Sequence, residues 1–382
     1  MKRALMYASV ASMIQQFNME NIRLLLELGY EVDVACNMKC GSTITDEKVA
    51  AMKQELEAMG VHVFHVPVPR NVTAVGEILK TYQATLKLMK DRTYDLVHCH
   101  SPIGGMVCRL ANRFSGRYGQ AKMIYTAHGF HFYQGAPKKN WLLYYPVEWF
   151  CARYTDVLIT INQEDYALAQ KRMKAGQVVY VPGVGIDVEK FGNALGNRAV
   201  KRQELGVPED TPLLICVGEL NENKNHETVI RAIAGLDVSC IIVGKGMLGS
   251  YLQAVIDEVG ARDRVKLLGF RGDVDELYKA VDLFVFPSFR EGLSVSLMEA
   301  MASGLPVACS RIRGNTDLID VHGGVLFSPG SVDECRAAIQ KCLAMPDAGL
   351  YNAEKIQQFG TNAVKMHVRA IYDGGCLCGN DT

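Results

Sequence analysis

Glu291 and Glu299 stand eight residues apart in the run FPSFREGLSVSLMEAMASGLPV, Phe286 to Val307. Gly292, Leu293, Ser294 and Ser296 lie between them, and Leu293, Val295, Leu297, Met298 and Met301 supply an apolar face. This pattern predicts a loop that becomes a helix near Ser294. Such a helix points its unpaired N–H groups and the positive end of its dipole forward, which suits a phosphate. Gly292 lets a ligand or another backbone come close. Glu291 falls just before the helix and Glu299 about a turn and a half into it. Carboxylates accept hydrogen bonds from neighbouring hydroxyls, so the pair suits sugar OH groups on either side of a bound diphosphate. For an isolated pair, a capped surface helix with two solvated acids is the plainer reading. The glycine, the serines and the Gly304-Leu305-Pro306-Val307 exit favour the site.

The elements that must hold this segment alternate between strand and helix. Strands are expected at Ala4–Ala8, Glu31–Cys36, His62–His65, Leu96–Cys99, Met123–Thr126, Val157–Ile161 and Val178–Val181. Further strands are expected at Leu213–Val217, Ser239–Val243, Val265–Leu268, Leu283–Phe286 and Pro306–Ala308. Continuous apolar strands with helical crossovers indicate an α/β class with parallel sheets covered on both faces. The Pro- and Gly-containing stretch Val181–Phe191 predicts the boundary between two domains. The expected division is 1–184 and 185–359, with a helix over 360–373 packing back on the first domain and a loose tail at 374–382.

Composition narrows the function classes. The 382 residues suffice for two cores, 49% are apolar and 21% charged, and the net charge is zero. Nothing here favours broad nucleic-acid binding. No apolar run approaches the roughly 18 residues of a membrane span. Met1-Lys2-Arg3 followed by ALMYASVASM could pass for a signal peptide. Its apolar part instead reads as the first strand of the repeating pattern. One helix through Met13, Phe17, Ile22, Leu25 and Leu26 follows, ended by Gly29. A cytoplasmic chain is therefore expected. Most of the twelve cysteines sit in apolar strands or helices. Cys36-x3-Cys40 and Cys376-x-Cys378 lack a second pair at zinc spacing, so no structural metal or disulfide framework is expected.

Two motifs compete with this reading. Gly244-Lys-Gly246-Met-Leu-Gly249 is a literal G-x-G-x-x-G after a strand, yet the next strand, VKLLGF, carries no acid for a ribose. It fits a glycine turn approached by a ligand. Asp273-Val-Asp275 resembles a metal-binding D-x-D, but it opens the segment DVDELYKAV, where helix capping and the dipole account for the acids.

FREGLSVSLMEAMASGLPV resembles the E-x7-E segment of family 4 retaining glycosyltransferases, which have the GT-B fold. In order along the chain, VGELNENKNH resembles that family's glycine-then-lysine loop, VGKGMLGSYL its G-x-G turn, and LGFRGDVDELY its loop near the base. TAHGFHFYQGAP, Thr126–Pro137, resembles a segment of the capsular and exopolysaccharide-type subgroup, whose members extend lipid-linked sugars. The resemblance covers the chain to about Tyr372. It implies two Rossmann-like domains whose parallel sheets face across a cleft, and a UDP-sugar donor with no cofactor and no metal.

By position, the resemblance implies that Glu299 binds the ribose, that Glu291 faces the donor sugar, and that Gly292, Leu293 and Ser294 touch it through backbone. Lys224 would neutralise the diphosphate. His128 would lie beneath the donor sugar near the reacting carbon, making His128, Lys224 and Glu291 the catalytic set. Gly218, Gly244 and Gly246 would line the donor site, with Phe270 and Arg271 by the base. Two departures stand out. Glu219 occupies a position where many members carry Arg, and Asn221, Asn223, Asn225, Arg290 or Arg313 could compensate. Ser9-Val-Ala-Ser12 replaces a Gly-Gly loop. His98, His100 and His131 read as buried structural histidines.

The acceptor implied is a glycan or a polyprenyl-diphosphate sugar. Lys138–Tyr154 holds both tryptophans beside tyrosines and basic residues, which suits either a core helix bent at Pro146 or peripheral contact with the inner face of the membrane. Two rivals remain: a GT-B-fold UDP-sugar 2-epimerase, and a non-catalytic nucleotide-sugar-binding subunit.

Overall fold

The computed structural model describes residues 1–39 and 44–375, which form two compact units. One comprises Met1–Val184 together with the chain from Val364 onward, and the other Gly185–Ala363. The first contains β1 (Arg3–Val10), β2 (Glu31–Asn37), β3 (His62–His65), β4 (Leu96–His100), β5 (Lys122–Ala127), β6 (Val157–Thr160) and β7 (Gln177–Tyr180). They pair in parallel in the order β3-β2-β1-β4-β5-β6-β7. The second contains β8 (Leu213–Val217), β9 (Ser239–Val243), β10 (Val265–Gly269), β11 (Leu283–Phe286), β12 (Val307–Ser310) and β13 (Gly324–Phe327). Their parallel order is β10-β9-β8-β11-β12-β13.

The central strands explain this architecture. LLICV of β8 and SCIIV of β9 are almost wholly apolar, and their side chains alternate between the two buried faces of one sheet. Only helices on both sides can cover such strands. In each sheet the order reverses beside its first strand, at β1/β4 and at β8/β11. A crevice opens at the carboxyl ends of strands at such a reversal, where open α/β sheets bind ligands. The helix Thr361–Tyr372 belongs to the first unit: Val364, Val368, Ile371 and Tyr372 join a core with Ala4, Met6 and Val34.

Four local features differ from expectation. The strand β13 was not anticipated, because its first residue, Gly324, follows Gly323 and reads as a turn. A Cβ on Gly324 would overlap the Val307 carbonyl of β12, so the glycine permits close strand approach. The single helix expected after β1 is two, Ala11–Phe17 and Met19–Glu27. Buried Asn18 separates them, its Nδ2 donating to Met13 O at 2.9 Å while its own backbone leaves the helical region. The strand β1 runs to Val10 and enters the helix directly. Asp273 does not cap its helix, as described below.

Nine cysteines are free and buried among the described residues. Cys40, Cys376 and Cys378, and the tail from 376 on, lie outside them. No helix among the described residues is long and apolar enough to cross a membrane.

Candidate active site

In the second unit two loops meet where the strand order reverses. One follows β8 and the other follows β11. Asn221, Asn223 and Asn225 build the first. Asn221 Oδ1 accepts from Lys224 N at 3.0 Å and closes a single 3-10 turn over Glu222–Lys224. Asn225 adopts a left-handed φ of 52°, a conformation asparagine tolerates. The first loop is then tied to the second. Phe289 N donates to Asn223 O at 2.8 Å, Asn223 Nδ2 to Arg290 O at 2.9 Å, and Asn225 Nδ2 to Pro287 O at 3.1 Å. The three asparagines are thus engaged with backbone. Arg313 braces the other side, donating from Nε to Glu291 O at 3.0 Å, and Gly314 lies against Gly292.

These ties bring Lys224 and Glu291 together at 2.7 Å, both largely buried. Lys224 Nζ also sits 4.7 Å from the Phe286 ring centroid, and its aliphatic stem crosses Gly218, where a Cβ would crowd it. The expected phosphate cation is therefore held by a carboxylate. An anion entering here would compete with Glu291 for the ammonium. Glu219 is exposed.

Ser294 is the N-cap of the Val295–Ala302 helix, its Oγ accepting from Leu297 N at 3.4 Å. Ser296 Oγ donates to Val217 O at 3.3 Å and ties the helix start to β8. Glu299, one turn further, is largely buried beside Tyr278. Burial pushes its pKa up to about 7, with Lys190 opposing the shift and Asp275 adding to it. Neither Lys190 nor Tyr278 was identified from sequence, because both approach Glu299 from other elements.

The glycine turn after β9 packs against the loop that follows β8. A Cβ on Gly244 would overlap the Gly218 carbonyl, and one on Gly246 would overlap Leu220 backbone. Leu220 N donates to Lys245 O at 3.0 Å and Leu248 N to Leu220 O at 3.0 Å. The chain's own β8 loop makes this close approach. Phe270 is exposed at 66%. Arg271 is engaged by Asp273 and Glu204, each at 2.7 Å. Lys201 also binds Asp273, at 2.8 Å, and this crowding of cations holds the Asp273 carboxyl well below the usual range. The carboxylate serves these cations instead of capping the Val274–Ala280 helix.

In the first unit, His100 ends β4 and His128 follows β5. His100 Nδ1 lies 3.1 Å from His128 Nε2, and His100 Nε2 lies 3.3 Å from Met6 Sδ. His98 is bonded through Nδ1 to Tyr372 OH and through Nε2 to Thr126 Oγ1, both at 2.8 Å. Burial depresses all three imidazoles, His98 to about 3 and His128 to about 4, so they are neutral at physiological pH. His131 packs against Tyr144.

The Lys138–Ala152 helix is packed on one side and exposed on the other. Trp141 donates to Tyr133 O at 3.3 Å, and Trp149 is covered by the Arg153 guanidinium at 3.5 Å. Both tryptophans are partly buried against the core. The exposed apolar side chains are Leu142, Leu143, Val147 and Phe150. Buried Glu148 anchors the helix through Arg109 at 2.7 Å and Tyr125 OH at 2.8 Å.

With this geometry in place, relatives can be compared. Residues 14–183 match the model of the glycosyl transferase 4-like domain, and residues 197–366 that of glycosyl transferases group 1. The chain is 34% identical over 354 residues to EpsD of Bacillus subtilis (strain 168), a protein named a glycosyltransferase, covering 91% of this chain and 88% of the relative. It is 30% identical over 332 residues to the UDP-Gal:alpha-D-GlcNAc-diphosphoundecaprenol alpha-1,3-galactosyltransferase of Escherichia coli, covering 84% and 82%. The fold matches Anabaena Alr3699/HepE solved in complex with UDP, at 21% identity, TM-score 0.75, and coverage of 98% and 100%. It also matches the sucrose-phosphate synthase of Thermosynechococcus elongatus, at 19% identity, TM-score 0.77, and coverage of 98% and 99%.

Proposed function

We propose that this chain, which belongs to the family 4-type GT-B glycosyltransferases, moves a hexosyl or N-acetylhexosaminyl group from UDP to a hydroxyl of a lipid-linked glycan with retention at the anomeric carbon. The observation that carries the reading is the Lys224–Glu291 pair at the reversal of the second sheet, in front of the Val295–Ala302 helix. In the proposed complex the β-phosphate takes Lys224, releasing Glu291 to accept hydrogen bonds from the donor sugar. Glu299 accepts from the ribose hydroxyls. The UDP found in the HepE structure and the diphosphoundecaprenol-linked acceptor named for the E. coli relative favour this donor and acceptor class.

The reaction breaks the bond from the anomeric carbon to the β-phosphate oxygen, whose electron pair leaves with UDP. The acceptor oxygen bonds to the same face of the carbon, and its proton passes to the departing phosphate oxygen. Lys224 and the helix dipole supply the positive potential that this leaving group needs.

Leu142, Leu143, Val147 and Phe150, beside Lys138 and Lys139, form a surface suited to peripheral membrane contact at the cytoplasmic face, where a polyprenyl acceptor resides.

UDP release measured over UDP- and GDP-sugars with short-chain lipid-diphosphate acceptors tests the reading, with and without EDTA. Acceptor-dependent release from a UDP-sugar, insensitive to EDTA, is expected. Epimer formation without acceptor would assign a 2-epimerase instead. UDP binding without turnover would assign a binding subunit, the reading favoured by Glu219.

A further inference from the structure

Behind His128 lies a second imidazole backed by a thioether. His100 Nε2 is 3.3 Å from Met6 Sδ, and Met6 is completely buried. A thioether sulfur has lone pairs and no proton. Contact at this distance is favourable when Nε2 carries a hydrogen and unfavourable when it presents a lone pair. A neutral imidazole has one N–H, so His100 Nδ1 is then the acceptor. It lies 3.1 Å from His128 Nε2, which must therefore donate. His128 in turn has its lone pair on Nδ1.

We propose that His100, oriented by Met6, is a positioning residue that holds His128 as the Nε2–H tautomer, leaving Nδ1 as a hydrogen-bond acceptor for a hydroxyl of the bound substrate. The part concerning substrate rests on the glycosyltransferase reading above; the tautomer assignment does not. A hydroxyl can donate to such a nitrogen, whereas a phosphate oxygen cannot. His128 is thereby suited to a sugar OH and unsuited to the diphosphate.

The surroundings make the arrangement one-way. His98, whose ring centroid is 4.2 Å from that of His100, has both nitrogens occupied by Thr126 and Tyr372. Phe17, 5.7 Å from His128 between ring centroids, offers only an aromatic face. Burial keeps His128 neutral until about pH 4, so the tautomer persists at physiological pH.

The test uses the full chain labelled with 15N-histidine. Long-range 1H–15N spectra at pH 7 report which ring nitrogen carries the proton. His128 protonated at Nε2 is expected in the wild type. His100→Phe removes the acceptor and should release that preference. It should also lower kcat for UDP release by roughly ten- to a hundredfold, the scale of an orienting partner, with UDP affinity unchanged. His100→Asn, whose Oδ1 can replace Nδ1, should restore both. Met6→Leu, a volume-conserving change that folds even where His100→Phe does not, should leave both tautomers populated.

Protonation of His128 at Nδ1 in the wild type, or an unchanged His128 in His100→Phe or Met6→Leu, would overturn the proposal. The spectra need no turnover. An inert chain with the expected tautomer would therefore count against the transferase reading and not against His100.

Discussion

Lys224 carries the largest electrostatic demand on any single residue of the proposed reaction. Its ammonium must leave Glu291 and follow the charge that grows on the departing diphosphate. Lys224→Ala should lower kcat about a hundredfold or more, equivalent to roughly 3 kcal/mol, as for one lost oxyanion donor. Single-turnover UDP release measures this, and full turnover by the variant would remove Lys224 from the mechanism. Glu299 makes a pH-dependent prediction. Its pKa is about 7 in the folded chain against 4.5 for a free carboxyl, so the folded state binds the extra proton between these values. Stability should therefore fall as pH rises from about 4.5 to about 7, by up to roughly 3 kcal/mol. Glu299→Gln should abolish that slope in urea titrations. A ribose needs the ionised carboxylate, so UDP-glucose should bind about tenfold more tightly at pH 8 than at pH 6. An equal pH dependence in Glu299→Gln would refute the ribose role. Both glutamates were legible in the sequence. Their partners were not, since Lys224 lies 67 positions from Glu291.

Elements decide which of these side chains can act. The β8 and β11 loops are joined through asparagine side chains and braced by Arg313, so the site rests on backbone ties that hydrophobic periodicity does not report. The alternation Asn221, Asn223, Asn225 was visible, but only the folded loops show what each amide reaches. The Lys138–Ala152 helix is similar. Its composition announced an amphipathic aromatic segment, while packing turned Trp141 and Trp149 inward and left Leu142, Leu143 and Phe150 exposed. Replacing these three by serine should reduce sedimentation with anionic vesicles several-fold without lowering UDP affinity, because each removes apolar area from the interface. Equal sedimentation of the variant would dismiss this surface. Changing Trp141 and Trp149 should instead lower thermal stability.

At the scale of the whole molecule, the chain crosses from one unit to the other and comes back. The Thr361–Tyr372 helix returns to the first core with Val364, Val368, Ile371 and Tyr372, and Tyr372 OH bonds to His98. Ending the chain after Gly360 should destabilise the first unit by on the order of 5 kcal/mol, since each buried apolar side chain is worth roughly 1.5–3 kcal/mol. Calorimetry should show one transition lowered and the other retained; an unchanged profile would mean that the helix is not part of that core.

The sequence by itself determined the alternation of strand and helix, the parallel α/β class and the position of the Ser294 helix start. Each of these follows from local propensity and from which faces must be buried. Only the tertiary structure decided that Lys224 is held by Glu291, that Arg271 serves Asp273 and Glu204, and that the glycine turn receives the chain's own backbone. These outcomes depend on distances between the ends of side chains far apart in the chain. Periodicity reports that a face is buried, but not which groups meet there.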